Sequence, residues 1–354
     1  MASWYRGGMR SLASDNHSGV HPRVLEAIVE ANADHAISYG ADPWTARALE
    51  LIRGEFGGQA EVFPVFNGTG ANVVGMQSML RTWESVICAT TAHVNVDEAG
   101  APEKLLGSKV ITVPSTDAKI TPELIRAQHW GIGDFHHAQP RVVLITQSTE
   151  YGTRYSLDEL RAITSTAHEL DMYVYLDGAR IANAAAGLGC TFKQMTTDVG
   201  IDALSFGATK NGALGAEAVV VLNPELKAGE TLGYIRKQYM QLASKMRFTS
   251  AQFVALLEND LWRANAEHSN AMARYLEAKV TGIPGVTITQ AVEANAVFAL
   301  IPAAITPALQ EVAPFYVWNE ATNEVRWMCS WDTTTDDLDA FVAALTTLVA
   351  GTGA

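Results

Sequence analysis

Met172-Tyr173-Val174-Tyr175-Leu176-Asp177-Gly178-Ala179-Arg180 is the stretch that decides the fold. Five apolar or aromatic residues run without a polar break and end on an aspartate, a glycine and an arginine. A strand that is apolar at every position is buried on both faces, under helices. Its carboxyl end, where open α/β sheets bind ligands, carries Asp177. Similar runs recur at 61–66, 85–88, 109–113, 141–146, 203–206 and 218–222. Amphipathic stretches separate them. At 155–159, Ser156 and Glu159 have capping-box spacing, and Leu157, Leu160, Ile163, Ala167 and Leu170 then share one helical face. Further helices are expected over 45–56 and 70–80. The pattern predicts an α/β fold with a mostly parallel seven-stranded sheet.

After about residue 250 the pattern changes. A long helical stretch is expected over 251–279, then a turn at Gly282-Ile283-Pro284-Gly285. Strands follow at 286–289, 296–300 and 325–328, and a last helix at 335–348. This reads as a large domain over 1–255 and a smaller C-terminal α+β domain over 256–354.

The chain has 354 residues, of which 48% are hydrophobic and 18% charged, which excludes extensive disorder. Its net charge of −13 argues against nucleic acid and against acidic lipid as partners. Cys88, Cys190 and Cys329 are too few and too scattered for a disulfide framework or a zinc site, so no metal is expected. No apolar run approaches the ~18 residues of a transmembrane helix, because Pro302 breaks the nearest candidate at 296–305. Met1-Ala2-Ser3-Trp4-Tyr5-Arg6 lacks the apolar core of a signal peptide. A cytoplasmic, soluble protein is expected.

Three stretches carry chemistry. Asp177 points into the ligand crevice, although a turn aspartate capping the next helix would look the same. Lys210 stands among small residues in Ser205-Phe206-Gly207-Ala208-Thr209-Lys210-Asn211-Gly212. Burial would lower its pKa and make it a nucleophile, and an ordinary loop lysine is the alternative. Asn67-Gly68-Thr69-Gly70-Ala71-Asn72 lies between a strand and a helix. Its free N–H groups and the helix dipole suit one phosphate. The glycine spacing fits neither a Walker A loop nor a dinucleotide fingerprint. Together, a phosphate cradle, a carboxylate and a lysine are what pyridoxal 5'-phosphate needs: the carboxylate keeps the pyridine nitrogen protonated, and the lysine holds the aldehyde as an imine.

With these residues the chain resembles the low-specificity L-threonine aldolases, within the aspartate-aminotransferase-like (fold type I) pyridoxal-phosphate enzymes. Further anchors of the resemblance are Ser14-Asp15-Asn16, Tyr39-Gly40-Ala41-Asp42-Pro43, Ala92-His93, Asp97-Glu98-Ala99-Gly100 and Arg326. It implies that Lys210 carries the cofactor, Asp177 pairs with the pyridinium nitrogen, Gly68 and Thr69 bind phosphate, and His93 stacks on the ring. Ser14, Arg180 and Arg326 would hold the amino-acid carboxylate, a task suited to guanidinium groups. His136 matches a second family histidine near the substrate hydroxyl. His93, His136 and Glu98, or a water between them, are the candidate bases. A homodimer or homotetramer is implied, with Lys237 or Arg247 lending charge to a neighbouring subunit's cofactor phosphate.

The resemblance implies cleavage of L-threonine, L-allo-threonine and related β-hydroxy-α-amino acids such as phenylserine to glycine and an aldehyde. A β-eliminating lyase and an aminotransferase remain as alternatives on the same Lys210 and Asp177, and so does a non-catalytic protein of the same fold. The chain departs from the family at Gln147-Ser148-Thr149-Glu150, where an acidic-Asn-Thr-His stretch is usual. A second departure is Gln241-Leu242-Ala243-Ser244-Lys245-Met246-Arg247, where a Gly-rich turn usually precedes Met-Arg.

Overall fold

The computed structural model describes residues 10–351, and the first six residues, read above for a leader, lie outside that range. The large sheet contains β1 (Glu61–Val65), β2 (Glu84–Ala89), β3 (Lys109–Val113), β4 (Gln139–Thr146), β5 (Tyr173–Gly178), β6 (Ala203–Gly207) and β7 (Glu217–Val221). Their order is β1-β7-β6-β5-β4-β2-β3. β3, β2, β4, β5 and β6 pair in parallel, whereas β7 runs antiparallel to both β6 and β1. The reversal follows from the short link 208–216, since a parallel crossover needs about a dozen residues or more. Helices cover both faces. Val174 and Leu176 of β5 enter one core and Tyr175 enters the other, which is why the strand has no polar position. The expected capping box forms: Ser156 accepts from the Glu159 N–H, and Glu159 accepts from the Ser156 N–H.

The second sheet contains β8 (Thr287–Ile288), β9 (Ala296–Leu300), β10 (Tyr316–Asn319) and β11 (Glu324–Met328), all antiparallel, in the order β10-β11-β9-β8. Val297, Ala299, Val325 and Trp327 pack beneath the helices Leu261–Val280 and Thr335–Gly351. Leu12 joins this core, and its carbonyl accepts from the Met328 N–H at 2.8 Å. The N-terminal segment thus runs beside β11, which brings Ser14 and Asp15 to the junction of the two sheets.

Two expectations are corrected. The helical stretch over 251–279 is two helices, Met246–Leu257 and Leu261–Val280. Asn259 and Asp260 separate them with φ of 59° and 55°, a left-handed conformation that these two residue types tolerate better than most. The half-exposed strand β10 is not among the expected strands: Tyr316-Val317-Trp318-Asn319 is too short to show a period of its own.

Candidate active site

The carboxyl ends of β4, β5 and β6 open on a cleft lined by Thr146, Asp177 and Lys210 among others. Asp177 is buried there. Its Oδ2 accepts from Asn72 Nδ2 at 2.9 Å, and its Oδ1 accepts from the Ala179 N–H at 3.0 Å. Ser205 Oγ donates to the same Oδ1 at 3.4 Å. Gly178 must be glycine, because a Cβ would stand 2.2 Å from the Ser205 carbonyl oxygen. The carboxylate is therefore fixed by three donors, from the helix Gly68–Gln77, from β6 and from the turn that follows β5.

Lys210 lies in the 3₁₀ turn Thr209–Asn211, just past β6. Asn211 holds the turn through Nδ2 to the Trp262 carbonyl, and its own carbonyl accepts from Asn265 Nδ2, both at 2.9 Å. The amine has no hydrogen bond or ion pair to any described residue. Burial first, then the like charge of Arg180, lowers its pKa from 10.5. A lysine amine with a lowered pKa and no partner is closer to its nucleophilic, unprotonated form.

The helix Gly68–Gln77 begins opposite. Asn67 caps it, its side chain accepting from the Gly70 N–H at 2.7 Å. The Gly68 and Thr69 N–H groups have no intrahelical acceptor, by their position in the first turn, and both residues line the cleft. Gln241 closes over this turn. Its Oε1 accepts from the Phe66 N–H at 3.0 Å, and a Cβ at Gly70 would stand 2.3 Å from its amide carbon.

His93 opens the short helix His93–Val96 on another wall. Its Nδ1 meets Glu98 Oε1 at 2.8 Å, and that hydrogen bond raises the imidazole pKa. Glu98 Oε1 also accepts from Asn72 Nδ2 at 2.9 Å. Glu150, partly buried after β4, accepts from Thr146 Oγ1 at 2.7 Å and from the His93 N–H at 3.1 Å.

The two arginines differ. Arg180 is held by Asp15 through Nε at 2.7 Å and Nη2 at 2.9 Å, and Asn295 Nδ2 also donates to Asp15 at 3.1 Å. Arg326, on β11, has no carboxylate partner among the described residues. Its Nη2 donates to the Ala13 carbonyl at 2.9 Å, its plane lies against Tyr316 and Trp318, and its Nε is buried without an acceptor. Burial, then Arg180, pushes its pKa down to about 10. Ser14 is buried beside it, accepting from the Asn16 N–H at 3.2 Å. A buried guanidinium without a counter-ion fits an incoming carboxylate.

The cleft brings together Lys210, Asp177, Gly68, Thr69, His93, Glu98 and Arg180. It does not include His136. That residue is exposed in the loop before β4, at the opposite end of an eight-residue strand from Thr146, roughly 20 Å away along the strand. Lys237 is exposed over the Tyr39 ring, and Arg247 donates to the Ala33 and Asp34 carbonyls at 3.1 and 3.0 Å. Asn72, Gln241, Asp15 and Glu150 are additional members. Asp15 stands inside a stretch that the resemblance rests on and Asn72 at the end of the glycine-rich stretch read as a phosphate cradle, whereas Gln241 and Glu150 stand where the chain departs from the family.

Buried polar atoms without partners gather in the cleft: Asn72 Oδ1, Glu98 Oε2, Ser148 Oγ and Glu150 Oε2, with Arg326 Nε unpartnered as well on β11, outside the residues that line it. Native interiors rarely leave such groups unpaired, so the cleft is built for a polar guest. An aromatic aldehyde phosphate suits this donor set, with a lysine for the aldehyde, a carboxylate for a ring nitrogen and a helix N-terminus for the phosphate.

The sequence profile of the β-eliminating lyase family matches residues 11–304. The low specificity L-threonine aldolase of Pseudomonas sp. (strain NCIMB 10558) is 45% identical over 92% of this chain and 93% of its own length. The Saccharomyces cerevisiae low specificity L-threonine aldolase is 29% identical over 85% of this chain and 76% of its own. The Leishmania major threonine aldolase structure superposes with a TM-score of 0.90 at 29% identity, covering 96% of this chain and 99% of that one. A rice protein solved with pyridoxal phosphate shares the fold, at a TM-score of 0.75, 14% identity, and 97% and 84% coverage. The chain belongs to the β-eliminating lyase family and, within it, to the low specificity L-threonine aldolases.

Proposed function

We propose that the chain binds pyridoxal 5'-phosphate in this cleft and cleaves L-threonine, L-allo-threonine and related β-hydroxy-α-amino acids, phenylserine among them, to glycine and an aldehyde, reversibly. The observation that carries this reading is the convergence of an unpartnered lysine, a fixed carboxylate and an open helix N-terminus on one cleft.

Lys210 offers its amine to the cofactor aldehyde. The Gly68 and Thr69 N–H groups take the phosphate, helped by the helix dipole. Asp177, held by Asn72, Ala179 and Ser205, keeps a proton on the pyridine nitrogen. When bound, the cofactor supplies a sink for the electron pair released as the Cα–Cβ bond breaks. His93, oriented by Glu98, presents its ring as a wall of the site. Arg326 grips the substrate carboxylate, with Ser14 beside it. Asp15 holds Arg180 in place, so Arg180 contributes charge and position more than a free fork.

The same reading extends to a cytoplasmic homodimer or homotetramer. Among the described residues, no helix is long and apolar enough to cross a membrane. Tyr39, Phe66 and Met240 are exposed around the phosphate cradle, an apolar rim that a second subunit would cover. Lys237 is the freer of the two cations that could reach a neighbour's phosphate, because Arg247 is tied to its own chain. The large-sheet core reaches Leu257, Trp262 and Ala266 and that of the second sheet begins at Ala273, so the helix Leu261–Val280 carries the passage between the two proposed domains, 1–255 and 256–354, with the segment around Leu12 crossing back.

Product analysis tests the activity. The holoenzyme with L-threonine should release glycine and acetaldehyde in equal amounts. Ammonia and 2-oxobutanoate instead would make it an eliminase.

A further inference from the structure

The cleft holds a carboxyl group that this assignment leaves without a task. Glu150 is partly exposed as a residue at the mouth of β4, but its carboxyl is turned inward. Its Oε1 is satisfied by Thr146 Oγ1 and the His93 N–H, whereas its Oε2 has no partner. The residue lines the cleft together with Lys210, Asp177 and His93. The titratable and charged groups around it are Asp177 and Arg180 at the end of β5, Cys88 on β2, His93 across the cleft and Tyr155 beyond the next turn.

The other candidate bases are less suited. His93 commits Nδ1 to Glu98, a hydrogen bond that raises the imidazole pKa and so favours the protonated form over the base. Glu98 also leaves its Oε2 unpartnered, but its Oε1 is committed to His93 Nδ1 and Asn72 Nδ2, so taking a proton there would disturb the pair that orients the imidazole. His136 lies at the far end of β4. Glu217 on β7 is a second buried carboxyl, but its Oε2 sits against Gly207, 3.0 Å from where a Cβ would stand, behind the strand ends. Burial, with Asp177 adding to it, pushes Glu150 up to about 7. A group with its pKa near the operating pH both takes and returns a proton efficiently.

We propose that Glu150 is the acid–base residue of the cleavage, its Oε2 taking the proton of the substrate β-hydroxyl. This rests on the aldolase reading above. The O–H bond breaks and an Oε2–H bond forms. The O–H electron pair becomes the second bond of the aldehyde carbonyl, and the Cα–Cβ pair passes to the electron sink that the bound cofactor provides. After the aldehyde leaves, the electron pair returns from the sink to Cα, which takes one proton from solvent to give glycine, and Glu150 releases its own proton to solvent, so the proton count balances. In the reverse aldol addition it protonates the new alkoxide.

Glu150→Gln keeps the volume and an oxygen acceptor for Thr146 and the His93 N–H, but cannot take a proton. In the holoenzyme, L-threonine cleavage should fall ~10²–10⁴-fold. Exchange of the glycine α-proton in deuterium oxide, followed by NMR, should stay within about threefold, because it needs no hydroxyl base. The equilibrium dissociation constant for glycine, read from the cofactor's visible absorbance, should also hold. Unmodified enzyme should lose kcat below about pH 7, as its base protonates. Cleavage by the variant at the wild-type rate, loss of cleavage and exchange together, or a wild-type kcat that is flat between about pH 6 and 8 would each overturn the proposal. Unmodified enzyme that exchanges glycine but cannot cleave threonine would instead count against the aldolase reading.

Discussion

Replacing Arg326 with methionine should move stability and binding in opposite directions. The folded chain depresses this guanidinium from 12.5 to about 10, a penalty of about 3 kcal/mol at about 1.4 kcal/mol per pH unit. At neutral pH the group is charged in both folded and unfolded states, so the folded state carries that whole penalty. Arg326→Met removes it. The losses are the hydrogen bond to the Ala13 carbonyl, about 1 kcal/mol, and the stacking on Tyr316 and Trp318, about 1 kcal/mol and partly kept by the thioether. The substrate-free variant should therefore be about 1 kcal/mol more stable in urea denaturation. Binding should suffer, because losing one partner of a buried charge pair costs about 2–5 kcal/mol, at least ~30-fold in the glycine dissociation constant. A variant that is destabilised yet binds glycine normally would show that Arg326 is a structural arginine stacked in the small sheet.

Other consequences follow from the same geometry. In Asp177→Asn, the new amide must turn its NH₂ toward either Asn72 Nδ2 or the Ala179 N–H, donor against donor, costing about 1–3 kcal/mol of stability. Threonine cleavage should drop at least ~10-fold through the weakened hold on the ring proton, and near-wild-type turnover would remove Asp177 from the site. Glu150 and Glu217 are both pushed up to about 7 by burial. They keep protons in the folded chain that the unfolded chain releases above about pH 4.5. Cofactor-free protein should therefore lose stability from about pH 5 to 7 and level off above, by up to about 3 kcal/mol per group. Denaturation of the paired Gln variants should give a flatter profile, and an unchanged slope would refute the burial argument. Active enzyme should sediment as a dimer or larger, and a fully active monomer would contradict the shared site.

The parts of the structure that were legible are those written in local pattern. β5 and its terminal Asp177 are readable because an unbroken apolar run is needed by a strand with a core on each face. The Ser156–Glu159 cap is readable because it lies within one turn. The antiparallel turn of β7 depends on the length of a linker, and the break at Asn259-Asp260 on two left-handed residues inside an otherwise helical pattern. The Asp15–Arg180 pair joins residues 165 positions apart and exists only because the N-terminal segment runs along β11. Motif context puts His136 near chemistry, whereas the fold puts it at the wrong end of its strand. Glu150 shows in the sequence only as a departure from a pattern; its burial, and the unpaired oxygen that follows, come from packing against Thr146 and His93.

The claim on which the rest depends is that Lys210 carries the cofactor. Holoenzyme should be yellow, and borohydride reduction followed by peptide mapping should find the pyridoxyl group on the peptide containing Thr209-Lys210-Asn211. Recovery of the group on any other lysine, or no reducible adduct at all, would contradict the account.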